Sequence, residues 1–122
     1  MPLAYWMILA AAFLPYVTVA LAKSGGVDNR APRRELQKLE GWRQRADWAH
    51  RNHFETFPIF AASVLVAEVT HAPQGRIDLL ALSYVAVRIV YTAMYMADLA
   101  TMRSLVFTLG LGLTVWLFVA SL

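Results

Sequence analysis

The chain has 122 residues, 59% of them hydrophobic and 16% charged, where soluble domains run near half apolar and a quarter charged. A water-soluble fold this short leaves too much of its area exposed to hide so much apolar surface, so its solvent is lipid and one membrane domain over residues 1–122 is the limit. The net charge of +3 gathers between Lys23 and Arg51, the pattern of a cytoplasmic loop facing anionic lipid, and this argues against nucleic acid as a partner. Leu3 to Ala22 is charge-free over about 20 residues, enough to cross ~30 Å of hydrocarbon, with Pro15 as a predicted kink. It reads as a span rather than a signal peptide, because it lacks a basic leading region and its apolar stretch is too long. Residues 23–31 are rich in turn formers, and Pro32 suits the first turn of the next helix.

From Pro32 the periodicity stays helical to about Val69, some 37 residues or ~55 Å. That exceeds any hydrocarbon core, so 32–44 is expected to project into water, with Gly41 as a possible break, and about 45–70 to form the second span. Residues 70–76 read as a turn, 77–98 as the third span and 103–122 as the fourth, which makes an all-α, four-helix transmembrane bundle. The basic residues Arg30, Arg33, Arg34 and Arg103 lie on one side, so loop 23–34 is predicted to be cytoplasmic and both termini to lie opposite.

Two polar stripes interrupt the apolar pattern. At 100° per residue, Arg45, Trp48, Asn52 and Glu55 share an arc of about 80°, with Arg51 on its flank, and Tyr84, Arg88, Tyr91, Tyr95 and Asp98 share another. Counted from the turn that joins the two antiparallel helices, Glu55 lies ~22 Å deep and Tyr91 ~21 Å, with Arg88 one turn away. A charge at mid-bilayer costs at least ~2.5 kcal/mol, and a Glu55–Arg88 ion pair is the simplest way to make both tolerable. Such a pair is a structural reading. Arg51, Asn52, Tyr95 and Arg103 leave donors over after it, and surplus donors inside a protein point to an anionic guest or water. His50 and His53 fall off the stripe and lack the i, i+4 partner of a zinc helix, so they are placed at the membrane interface and no metal site is expected. Gly110 and Gly112 read as close packing and the methionines as core filling. With no cysteine in the chain, any thiol chemistry needs a borrowed thiol.

The run Arg45-Ala46, Ala49-His50-Arg51-Asn52, Glu55 and Pro58 resembles the signature of the MAPEG family, the membrane-associated proteins in eicosanoid and glutathione metabolism. Arg88, Tyr91 and Tyr95 match its arginine and distal-tyrosine spacing, and Arg103-Ser104 its thiol-activating corner. The resemblance, to a bacterial-type member of the inner membrane, implies a homotrimer with glutathione bound between neighbouring protomers. It implies that Arg51, Asn52, Glu55, Arg88, Tyr91 and Tyr95 hold the tripeptide while Arg103, aided by Ser104, stabilises the thiolate. A glutathione transferase or peroxidase acting on apolar electrophiles or lipid hydroperoxides follows; the alternative is a non-catalytic scaffold or lipid-binding subunit of the same fold. Trp48 and Phe107 depart from the pattern, standing where relatives carry a basic residue and a tyrosine, and Asp98 would oppose a nearby thiolate by like-charge repulsion.

Overall fold

The computed structural model describes residues 1–122 as five helices: α1 (Leu3–Lys23), α2 (Pro32–Gln37), α3 (Gly41–Val69), α4 (Gln74–Met96) and α5 (Ala100–Phe118). α1 runs unbroken through the buried Pro15 and closes where the Ser24 hydroxyl donates to Leu21 O at 2.7 Å, with Lys23 in the last turn complementing the helix dipole. α2 opens with Pro32 at its first turn and buries Leu36 against Ala22 and Ala46.

The helical stretch expected over 32–69 is divided, at the break that Gly41 offered. The amides of Lys38 and Leu39 close back onto Glu35 O and Leu36 O, and Gly41 takes φ 65°, a left-handed conformation that L side chains resist. The break lets Leu36 turn inward to seal the end of α1, which a straight helix could not do. Gly41→Ala is expected to destabilise the chain by about 1 kcal/mol, seen as a lower thermal midpoint in neutral detergent. Gly75→Ala, where an added methyl would meet nothing, is expected to leave the midpoint unchanged.

The opposite end is tied by side chains. Asp78 Oδ1 accepts from the Ala4 amide at 3.0 Å and from Gln74 Nε2 at 2.9 Å, which places the start of α1 beside the start of α4. Arg76 Nη1 donates to Ala120 O at 2.7 Å, bringing the end of α5 to the same level. Between these ends lies an apolar core in which Phe60 and Tyr84 stack face to face, centroids 4.0 Å apart, and Ala4, Ala11, Ala67 and Ala81 let the helices approach closely.

α1, α4 and α5 are long and apolar enough to cross a membrane. α3 is longer still but falls short on composition, because its first half carries Arg43, Arg45, Asp47, Arg51 and Glu55. Trp6, Phe13, Ile59, Leu79, Ile89, Leu105, Leu109 and Trp116 point outward, an apolar surface far larger than water tolerates on one small chain. The last two helices also differ from expectation in their ends: α4 stops at Met96 rather than Asp98, and α5 begins at Ala100 rather than Arg103. Asp98 at φ 61° forms the exposed turn between them, a conformation that aspartate tolerates better than most residues.

Candidate functional site

Between the apolar core and the Leu36 seal lies a polar layer built by α3, α4 and α5. Arg88, 3% exposed, is its centre. Its Nη2 donates to Asn52 Oδ1 at 2.8 Å and to His53 Nδ1 at 2.8 Å, its Nε also faces His53 Nδ1 at 3.3 Å, and its Cζ lies 4.2 Å from the Tyr91 ring centroid. His53 Nε2 lies 2.8 Å from Thr92 Oγ1, which donates its single proton to Arg88 O at 2.9 Å. The hydroxyl must therefore accept from the ring, so His53 carries its proton on Nε2 and offers Nδ1 as a lone pair to the guanidinium. The network is closed and self-consistent, and it holds a cation with neutral acceptors only.

The expected Glu55–Arg88 ion pair is not formed. Glu55 follows His53 by two residues, about 200° around the helix, so the two cannot share a face. With His53 turned inward to Arg88, Glu55 is exposed on the flank, 3.4 Å from Asn52 Nδ2. His53 is likewise not an interfacial residue, being 3% exposed. The reason is visible in the burial of α3: Ala46, Ala49, His53, Phe60, Val64 and Ala67 recur at intervals of three, four or seven residues, so His53 belongs to the seam that packs against the other helices. The signal for His53 in the sequence is its place on this small and apolar period, and that for Thr92 its position one turn beyond Arg88 on α4.

Arg51 also goes elsewhere than expected. Its Nη2 pairs with Asp47 Oδ2 at 3.2 Å along the same helix, while His50 Nδ1 lies 3.4 Å from Asp47 Oδ1. Asp47 itself is 1% exposed and thus becomes the anchor of this patch, a role its place in the sequence did not announce.

The remaining polar residues do converge. Asn52, Tyr91, Tyr95, Arg103 and Ser104 line an open recess of ≈ 330 Å³ with Phe107 and Thr108 as its apolar and hydroxylic wall. The Arg103 guanidinium sits over the Tyr95 ring at 4.5 Å and forms neither an ion pair nor a hydrogen bond within the chain. Tyr91 meets Tyr95 edge to face at 5.7 Å and lies 6.0 Å from Phe107, and Trp48 leans on Tyr95 at 6.4 Å, so the ring faces that orient both arginines are themselves braced. Phe107 therefore supplies a contact to Tyr91 in place of a hydroxyl. Asp98 stays in the exposed turn and does not line the recess.

The volume is at the lower end of the ~300–1,000 Å³ of small-molecule sites. Its lining carries donors from a guanidinium, an amide and hydroxyls and no carboxylate, a combination that suits an anionic guest. Neither the curated proteins nor the solved structures include a match to this chain. With three helices fit to cross a membrane, the chain is an integral membrane protein. The family model described as "MAPEG family" matches residues 3–122, essentially the whole length, and the chain belongs to that family.

Proposed function

We propose that the protein is a glutathione-dependent transferase or peroxidase acting on apolar electrophiles or hydroperoxides that reach it through the bilayer. The observation that carries this reading is the recess itself, where an unpaired, ring-braced Arg103 and the Ser104 hydroxyl face the same space as Asn52 and Tyr95. Bound there, glutathione supplies the thiol that a cysteine-free chain lacks. Asn52, whose carbonyl oxygen is taken by Arg88 and one of whose amide protons points to Glu55, offers its other amide proton, and the tyrosine hydroxyls add donors for a carboxylate. Arg103 holds positive charge beside the position of the sulfur, which favours the thiolate over the thiol. Arg88 acts through its hold on Asn52, orienting that part of the pocket wall.

In this reading α3 is a fourth span and the chain assembles as a homotrimer. Glu55 supports both, since an exposed carboxylate within a helix at this depth calls for a cation, and its own chain offers it only the long 3.4 Å approach of the Asn52 amide. A neighbouring copy is the natural source. The 23–34 loop, with its excess of Lys and Arg, is placed on the cytoplasmic side.

The test is turnover of an aryl halide by purified protein with glutathione, compared with Arg103→Ala. Turnover above the spontaneous rate, falling ten-fold or more in the variant, is expected if Arg103 contributes ~1.4 kcal/mol or above to the thiolate. No turnover by the native chain with any apolar electrophile or hydroperoxide would reject the reading in favour of a scaffold or lipid-binding subunit.

A further inference from the structure

On the face away from the recess, α1 and α4 part to leave a groove of ≈ 670 Å³, walled by Val17 and Leu21 on one side and Ile89, Ala93 and Met96 on the other, with Trp42 closing the end nearest the 24–40 loop. It shares no lining residue with the recess. Leu14 to Leu21 on α1 and Ile89 to Met96 on α4 each cover two turns, so the groove is about 10 Å long and runs with the helices.

Its loop end is rimmed by cations. Arg43, next to Trp42, donates from Nε to Ala22 O at 2.9 Å and from Nη2 to Gly26 O at 3.0 Å, which fixes it to the α1 wall. Arg45 donates from Nε and Nη2 to Met96 O at 3.1 and 3.0 Å, which fixes it to the α4 wall. Lys23 follows the same α1 turn two residues after Leu21. Gly25 is needed for this arrangement, because a methyl there would come within 2.7 Å of Arg43 Cζ. The carbonyls aim the two guanidiniums without neutralising them, and none of the three cations belongs to an ion pair: the three in the chain are Lys38–Glu35, His50–Asp47 and Arg51–Asp47. Of the acidic residues nearest in sequence, Asp47 is buried and held by His50 and Arg51, while Asp28 and Glu40 are exposed and offset part of this charge.

We propose that the α1–α4 groove is a binding site for an anionic phospholipid, one acyl chain lying between the two walls and the phosphate among Lys23, Arg43 and Arg45. An acyl chain leaving one apolar neighbour for another gains little in a bilayer, so the headgroup decides which lipid stays. Anionic headgroups gain from each unpaired Lys or Arg at the surface, and Arg30 of the adjoining loop with Arg33 and Arg34 of α2, exposed and unpaired, add to the same field.

Trp42 reports occupancy directly. In a chain retaining it alone (Trp6→Phe, Trp48→Phe, Trp116→Phe), reconstituted in phosphatidylcholine vesicles, brominated phosphatidylglycerol is expected to quench with about five- to ten-fold higher relative affinity than brominated phosphatidylcholine. Adding Arg43→Gln and Arg45→Gln is expected to bring that ratio to about one, and Lys23→Gln alone to lower it about two-fold should the double variant not fold. Ala93→Phe, which fills the groove, is expected to reduce quenching by both lipids. Equal quenching by the two lipids in the native background would overturn the proposal. So would relief of quenching by soluble glycerol phosphate, which would mark a free-phosphate site, or protection of Trp42 from both lipids with cross-linking between Ala93→Cys chains, which would mark a second copy in the groove.

Discussion

His53→Leu is expected to destabilise the folded chain by about 3 kcal/mol, whereas Glu55→Gln changes it little. In the native chain His53 Nδ1 is an acceptor for two nitrogens of a buried guanidinium, and Nε2 is bonded to Thr92. Leucine restores bulk but no lone pair, so Arg88 keeps its charge and loses an acceptor where water cannot replace it. Breaking a buried charge-assisted contact from one side costs more than the contact is worth in water, because the remaining group bears its full desolvation. For a chain of this size the loss corresponds to a fall of roughly 10 °C in thermal midpoint, measurable in neutral detergent. Glu55 lies on the exposed flank, where its only contact within the chain is the 3.4 Å approach of Asn52 Nδ2. A Glu55→Gln variant as damaged as His53→Leu would show that the carboxylate, and not the imidazole, is the partner of Arg88.

The second large effect is on the pH dependence of the proposed thiol reaction. A guanidinium beside the sulfur depresses the thiol pKa below its free value of about 8.5, so in the native chain the thiolate is already present above that lowered value and is lost as pH falls through it. Arg103→Ala returns the ionisation toward about 8.5. Between the two values the variant holds less thiolate, by up to ten-fold for each unit of restored pKa. Its rate defect is therefore expected to be greatest below the native ionisation and to shrink as pH rises past about 8.5, where both forms are ionised. A defect constant from pH 6 to 9 would instead mean that Arg103 acts on binding geometry. Tyr95→Leu is a useful companion, because removing the ring beneath Arg103 leaves the guanidinium charge in place but unbraced. It is expected to give a smaller loss with the same pH trend.

Much of this molecule follows from its sequence. The apolar runs that became α1, α4 and α5, the turn after Val69 and the break near Gly41 need only composition, helical period and chain length, all properties of neighbouring residues, while the family rests on the resemblance of the α3 motif. Arc and depth also brought Asn52, Tyr95, Arg103 and Ser104 to a common level, and they line one recess together with Tyr91; Arg51 and Asp98, counted to the same level, do not line it. What a helical period cannot say is which way each helix turns about its axis, because that is set by the fit of one apolar seam against another. His53 rides on the seam of Ala46, Ala49 and Phe60, so packing carried it to Arg88 and carried Glu55 out. Arg51 meets Asp47 one turn back on its own helix, an i, i+4 pair that any rotation preserves; the packing decided only that Asp47 is buried. Charge and spacing thus set which polar groups had to find partners inside lipid, and the packing of α3 against α4 decided that Arg88 met His53 and Asn52 and not Glu55.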